Sequence, residues 1–297
     1  MSRRRGAWVR LFFGRGCGRV ARGANSTGAD IEQALARRKL IARCHANAME
    51  DYRAFARGSL GGAIEEGSGF ALISTAAADS MGNPAFVTEP PSEPGAMVAR
   101  AAAFFQEHNA PWILIAFPES AEPMRLAALA SGMLDEGDFP GMVLEEIPPR
   151  IPSPPEGFRV ERAVTPAQLE LIERTGARAY GMPYSEPDDR WLDVPGLGLY
   201  LGRYHGEAVA LGALIVAHGV AGVAYIGTVE GFRRRGFAEA VVWRIVSDGR
   251  EQGCDVAYLW ATPMGRSVYE KMGFRRLLDY HIWSSPGEPM PRAIRRG

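Results

Sequence analysis

Lysine is almost missing from this chain: Lys39 and Lys271 are the only two, and arginine carries nearly all the positive charge. With so much Ala, Gly and Pro beside it, this bias reads first as a GC-rich coding preference, which weakens any argument resting on arginine alone. Net charge is missing too, since 34 Lys+Arg balance 34 Asp+Glu. A dedicated nucleic-acid binder shows a basic excess or a basic face, so that class is set aside. Cysteine is scarce. Cys17, Cys44 and Cys254 are widely spaced, with no C-x-x-C and no clustered His. A disulfide framework and a zinc signature are thereby excluded; the pattern fits a reducing, cytoplasmic setting and no metal is expected. No apolar run approaches the ~20 residues of a membrane-spanning helix, so no membrane partner is expected.

What remains is an ordinary globular composition, 46% hydrophobic and 23% charged over 297 residues, long enough for two domains. Residues 1–29 stand apart, with seven arginines and no acid before Asp30. A targeting peptide shares that composition, but Arg10 interrupts "AWVRLFF", and the segment reads as a basic disordered tail or an over-extended start. "EEIPPRIPSPPEGF", Glu145 to Phe158, sets five prolines between two patterned regions. Proline removes amide donors and holds its predecessor extended, so 148–156 is a linker between domains at 30–147 and 157–297.

The second region is the clearer one. "FRVERAV" alternates as a strand, and Thr165 and Pro166 open a helix as N-cap and first helical residue. "LYLGRYHGEAVALGALIVAHGVAGVAYIGTV" contains two turn signals between β-rich runs and predicts three antiparallel strands. A helix over "GFAEAVVWRIVSDGREQG", a strand "DVAYLWAT", a short helix "GRSVYEKMG" and a closing strand "RLLDYHIW" follow. The first region repeats part of this order: hairpin, strand, helix, strand, helix, strand. Aligning "RLAALASGMLDE" with "SVYEKMGFRRLL" puts Gly132 over Gly273 and Ala128 under Tyr269. The expected fold class is α/β (α+β), a mixed, mostly antiparallel central sheet flanked by helices, in two tandem copies of which the first has lost its site.

The chemistry concentrates at "TVEGFRRRGFAEAVVWR", Thr228 to Arg244. Gly236 falls between strand and helix, where a tight turn needs φ > 0. The first amides of a helix lack intrahelical acceptors, and its N-terminus is partially positive, so the turn suits an anion, above all phosphate. Arginines ahead of it would add charge-assisted bonds to phosphate oxygens, and Ala238 keeps the approach open. About thirty residues on, "ATPMGRSVYEKMGF" makes a second strand-to-helix junction that carries Tyr269.

This pair of motifs, in this order and over residues 157–285, resembles the GNAT N-acetyltransferase superfamily. Arg233, Gly236 and Ala238 match its Q/R-x-x-G-x-G/A pattern, and "VYEKMGF" matches its "LYEKLGF" region. The resemblance implies the acyl-CoA N-acyltransferase fold and acetyl-CoA as acetyl donor. It further implies a cofactor-binding set of Val229 at the end of the strand beside the pantetheine arm, and Arg233 with the loop amides of Arg234, Arg235, Gly236, Phe237 and Ala238 at the pyrophosphate. Tyr269 takes the place of the general acid that protonates the leaving thiolate. Where the family often has Asn and Ala, this chain has Thr262 and Gly265; the threonine hydroxyl can still bond a cofactor. The implied reaction is direct attack of a primary amine on the thioester, with backbone amides near Val229 stabilising the oxyanion. Some relatives place a glutamate on the strand before the loop, but "VAYIGTV" has no carboxylate, and proton removal through water is expected.

The acceptor is expected to be a small-molecule or peptide amine. Glu186, Asp188, Asp189 and Asp193 lie where the family binds its acceptor and would attract a cation; N-capping and solvation explain them nearly as well. His205 and His218 read as turn residues, and His281 as a weaker candidate for the acceptor pocket. The contrasting function class is a non-catalytic acyl-CoA-binding sensor or interaction protein, against which Tyr269 counts.

Overall fold

The computed structural model describes residues 28–182, 184–290 and 294. The basic tail proposed at 1–29 lies outside these, apart from Gly28 and Ala29, which open the first helix. Residues from Lys39 onward form one compact unit.

The first half runs α1 (Gly28–Gly58), β1 (Ala63–Gly67), β2 (Phe70–Ser74), β3 (Pro84–Val87), α2 (Pro94–Glu107), β4 (Ile113–Ala116), α3 (Pro118–Ala130) and β5 (Leu134–Leu144). The second runs β6 (Phe158–Arg162), α4 (Pro166–Tyr180), β7 (Leu197–Tyr204), β8 (Glu207–Ala217), β9 (Val220–Thr228), α5 (Phe237–Glu251), β10 (Val256–Trp260), α6 (Pro263–Lys271) and β11 (Arg275–Ser284). The polar stretch after α4 forms a 3-10 turn, Asp189–Asp193. Local rules set the ends. Thr165 caps α4 by accepting from the Gln168 amide, Pro166 is its first residue, and Gly181 closes it with φ 69°, the left-handed conformation that suits glycine after a helix.

All eleven strands join one sheet in the order β1-β2-β3-β4-β11-β5-β10-β9-β8-β7-β6. Only β3–β4 and β9–β10 are parallel, each joined through a helix, and the other pairs are antiparallel. Strands in the middle are covered on both faces: every residue of β3 and β4 is buried, which is why "WILIAF" reads as a continuous apolar run rather than an alternation.

The two halves repeat one pairing scheme, β1-β2-β3-α2-β4-α3-β5 against β7-β8-β9-α5-β10-α6-β11. Their last strands are exchanged. β5 of the first half lies between β10 and β11, and β11 of the second lies between β5 and β4. The ends of α3 and α6 are alike in detail. Gly132 and Gly273 both take positive φ, 77° and 92°, and the next amides, of Met133 and Phe274, donate to Ala128 O and Tyr269 O at 3.1 and 3.0 Å. Ala128 therefore stands in the first half at the place of Tyr269 in the second, and it is packed in the core.

Helix α1 reaches across the halves. Its Asn47 amide donates to the carbonyls of Ile215, Ala217 and Val220 at 3.0–3.3 Å, closing the β8–β9 hairpin. Arg43 adds bonds to His218 O and Gly219 O and pairs with Asp255.

The exchange has a direct consequence. Residues 148–297 produced alone would leave β10 and β11 without the strand that separates them, exposing two apolar edges. That fragment should be insoluble or lack near-UV circular dichroism, and coexpression with residues 28–147 should restore a soluble complex; a well-folded solitary fragment would contradict the interlock.

Candidate functional site

The site begins with a fault in a strand. The β8–β9 register shifts between Leu211↔Gly227 and Ala213↔Ala224, so Tyr225 and Ile226 together oppose Gly212. Tyr225 takes φ 54° there. Such a bulge bends its strand and ends regular pairing. On the other edge the parallel ladder to β10 stops at Val223↔Leu259. β9 continues for five residues, Ala224 to Thr228, with no strand beside them on that side, and the two strands open a wedge.

The arginine–glycine turn sits at the mouth of this wedge. Gly236 caps α5 with φ 79° and ψ 5°, and no side chain caps the helix. The amides of Phe237, Ala238 and Glu239 are thus left for a ligand, the arrangement that holds phosphate. A Cβ at Gly236 would be conformationally strained and would come within 3.4 Å of Pro155. Phe237 itself is buried and stacks on Phe158 at 4.2 Å between ring centroids.

The three arginines do different work. Arg233 turns inward, its guanidinium donating to Thr228 O at 3.1 Å and Ala179 O at 2.8 Å, so it ties the loop to the end of β9 and to α4. Arg235 lies over the rings of Tyr204 and Phe232. Arg234 is exposed, adopts φ 63° and lines the cavity.

That cavity, about 1910 Å³, also takes in Thr228, Arg233, Gly236, Phe237, Ala238, Thr262 and Tyr269. Arg235 and Val229 are not in its lining. The Val229 amide donates to Val209 O at 2.9 Å and its carbonyl accepts from Phe232 N at 2.8 Å. The backbone edge open to the wedge therefore ends at Thr228, and Val229, the residue that the resemblance sets beside the pantetheine arm, turns its amide toward β8. Thr262 caps α6 by accepting from the Gly265 amide at 3.2 Å, which leaves its hydroxyl proton to donate. Tyr269 is buried, and burial pushes its phenol up to about 12, so it remains protonated throughout the neutral range.

The cavity is also lined by acids and aromatic rings. Asp51 of α1, Asp79 after β2 and Glu173 of α4 line it with Tyr52, Tyr180, Tyr225 and Trp260. Tyr180 and Tyr225 stack at 5.7 Å. The Tyr225 hydroxyl donates to Glu173 at 3.4 Å, and Gly176 permits the approach, because a Cβ there would meet that hydroxyl at 2.2 Å. Burial lifts Asp51 to about 7; burial, helped by the charge of Asp79 and opposed by the Tyr225 bond, lifts Glu173 to about 7. Asp79 is also raised by burial, although its Oδ1 accepts from the amides of Met81 and Gly82.

Among the acids of the 184–193 segment, Glu186, Asp188 and Asp189 line the cavity and Asp193 does not. Asp188 is already committed to Arg190 and to the Leu60 amide, and the Arg190 bond holds its carboxyl well below the usual range. Glu230 is exposed. His281 bonds Asp138 at 2.7 Å and Asp135 at 2.9 Å across β11 and β5, outside the cavity lining.

Comparison with known proteins bears on this arrangement. The family model for the Acetyltransferase (GNAT) family matches residues 167–274, from the start of α4 to the residue before β11. This segment is a GNAT domain. A GCN5-related N-acetyltransferase from Kribbella flavida shares the fold with a TM-score of 0.62 at 18% identity, over 84% of this chain and 95% of that one. A GCN5-related N-acetyltransferase from Sphaerobacter thermophilus gives 0.52 at 18% identity, over 70% and 74%. No curated protein matches the sequence.

The arginine–glycine loop and Tyr269 stand out in the sequence; the buried acids of the cavity do not. Glu173 has a signal in retrospect. Leu169, Ile172, Gly176 and Ala179 are the buried stripe of α4, and Glu173 interrupts that stripe. Asp51 falls likewise among Cys44, Ala48 and Phe55 on α1. A carboxylate on an apolar helical face is the mark to look for.

Two predictions follow from these roles. Arg233→Ala should lower stability by about 1–3 kcal/mol through its lost charged hydrogen bonds, whereas Arg234→Ala should leave the melting temperature unchanged; equal melts for the two variants would contradict the division of labour. Asp51 binds a proton more readily folded, at about 7, than unfolded, at about 4. Its cost to stability therefore grows as pH rises from about 4 to 7 and is complete above that. Asp51→Asn should melt higher than the parent at pH 8 and no higher at pH 4.5, and a pH-independent offset would refute a buried, neutral carboxyl.

Proposed function

We propose that the chain is an acetyl-CoA-dependent N-acetyltransferase that acetylates a primary amine, with 157–297 as the catalytic region and 30–147 as a degenerate copy joined through 148–156. The observation that carries this reading is the meeting of two features at one cavity: an uncapped α5 N-terminus behind Gly236 and a protonated Tyr269. Family membership supports acyl transfer in general terms. The residues present suit the cosubstrate. The amides of Phe237 and Ala238 and the Arg234 guanidinium would take the pyrophosphate, and the open edge of β9 up to Thr228 would pair with the amides of the pantetheine arm.

In the reaction the amine nitrogen attacks the thioester carbonyl carbon, the C–S bond breaks, and the sulfur takes a proton from the Tyr269 hydroxyl. The amine must first lose a proton, since an unperturbed ammonium is mostly charged at neutral pH. That proton leaves through water, and Asp51 and Glu173 are carboxyls lining the same cavity.

The test is a pair of measurements. Acetyl-CoA at about a hundred times Kd should stabilise the protein by about 2.7 kcal/mol, and Gly236→Glu should abolish the shift by opposing the pyrophosphate in charge and space. Tyr269→Phe should keep the shift and lose about 10²-fold or more in amine-dependent CoA release. No shift with the parent protein would sink the enzyme reading, and a shift without CoA release from any amine would favour an acyl-CoA-binding sensor.

A further inference from the structure

Helix α1 presents aromatic rings where it meets the cavity. Tyr52 and Phe55 stand three residues apart, which sets them side by side on a helix, and both are half-buried and line the cavity. Each meets a ring of the second half. Tyr52 lies 6.2 Å from Trp260 between ring centroids, and Phe55 meets Trp191 edge-on at 5.1 Å and 89°. Trp260 and Trp191 are also half-buried and line the cavity. The rings follow one another as a strip, Trp260–Tyr52–Phe55–Trp191, whose middle comes from the first half and whose ends come from the second.

The strip is braced from behind. Tyr280 packs on Trp260 at 4.7 Å, and Phe86 meets Trp260 at 6.1 Å and Tyr52 at 5.6 Å; Phe86 and Tyr280 are themselves fully buried. At the other end the Trp191 indole N–H donates to Ser59 Oγ at 3.0 Å. Gly58 makes the seat for this indole, since a Cβ there would fall 2.4 Å from Trp191 Cδ1. Glycine is a poor helix former, so the contact explains it better than the helix does. The rings are thus fixed before a ligand arrives, and pre-organisation of this kind lowers the cost of binding.

Apolar surface left half-open in a cavity favours a ligand that covers it. A flat ring gains further, because aromatic pairs at about 4.5–7 Å attract beyond the area they bury. Position says which part of the ligand belongs there. Trp260 follows Leu259, the last residue of β10 in the parallel ladder, so the strip begins at the wedge and continues along α1 toward its C-terminal end. The reacting nitrogen then lies at the wedge and the body of the molecule on the rings.

We propose that this strip recognises the acceptor, and that the acceptor is a primary amine whose non-reacting part is an aromatic ring. The ring subsite stands on the cavity itself; only the identification of its ligand as the acceptor rests on the acetyltransferase reading. The first half contributes two rings of the subsite in place of the phenol it lacks.

The test is calorimetric titration of the full chain, with and without CoA, against 2-phenylethylamine, 2-cyclohexylethylamine and n-butylamine. All carry the same amine; the second keeps the bulk of the ring without its π face, and the third removes the ring. 2-Phenylethylamine should bind about tenfold or more tighter than n-butylamine, and about threefold or more tighter than the cyclohexyl amine. Tyr52→Leu and Trp191→Leu should each weaken 2-phenylethylamine about threefold or more and leave n-butylamine unchanged. Phe55→Leu, the mildest change, decides the matter if either of those variants melts far below the parent. Equal affinity of the phenyl amine and either comparison amine, no binding of 2-phenylethylamine at millimolar concentration, or leucine variants that bind it as the parent does would overturn the proposal. A phenyl preference without any effect of acetyl-CoA on the melt would reject the acetyltransferase reading and keep the strip; an acetyl-CoA shift without the preference would do the reverse.

Discussion

β5 lies between β10 and β11, and the rest of the structure depends on that exchange. A sheet built from two repeats could have met edge to edge, with the halves touching along one ladder. Here each half completes the other's sheet, so that the core around Tyr258 and Tyr280, whose hydroxyls bond at 2.7 Å, draws side chains from both. The interlock fixes α1 against the β8–β9 hairpin through Asn47 and Arg43. It thereby brings Asp51 to a cavity whose arginine–glycine turn lies nearly two hundred residues later.

Sequence showed the elements and the turn well, because both are written locally. Period, caps and turn signals marked every strand and helix of the second half, and Thr165, Pro166 and Gly181 set the ends of α4 as short-range rules require. The gap was long-range pairing. Nothing in "GMVLEE" or "RLLDYHIW" states which neighbour each strand takes, since both present the same apolar alternation to either partner. Domain boundaries drawn from the proline-rich linker follow the covalent chain, and strand exchange separates chain order from spatial order.

The candidate site divides along the same line. The turn at Gly236 was legible because it comes from backbone geometry, and Tyr269 because it falls in a short motif. Arg233 was legible only as a charge; that its guanidinium faces Thr228 O and Ala179 O depends on how α4 packs, and the cationic run alone could not separate it from Arg234. Val229 depends on long-range geometry in the same way: its amide and carbonyl are taken by Val209 and Phe232, and no local pattern announces the bulge opposite Gly212 that sets which backbone groups face the wedge.

The acids carry the same argument furthest. A search for a base on the strand before the turn returns nothing, because "VAYIGTV" holds no carboxylate. Yet the third residue of that stretch, Tyr225, touches one: its hydroxyl reaches Glu173 on α4. The bulge that opens the wedge also aims this ring, and Gly176 makes room for it. A helix-interior glycine costs about 1 kcal/mol relative to alanine, so its presence beside a buried glutamate is better explained by the contact than by helix formation. One backbone irregularity thus serves the cavity twice, freeing the edge of β9 and setting a tyrosine against a carboxylate of raised proton affinity.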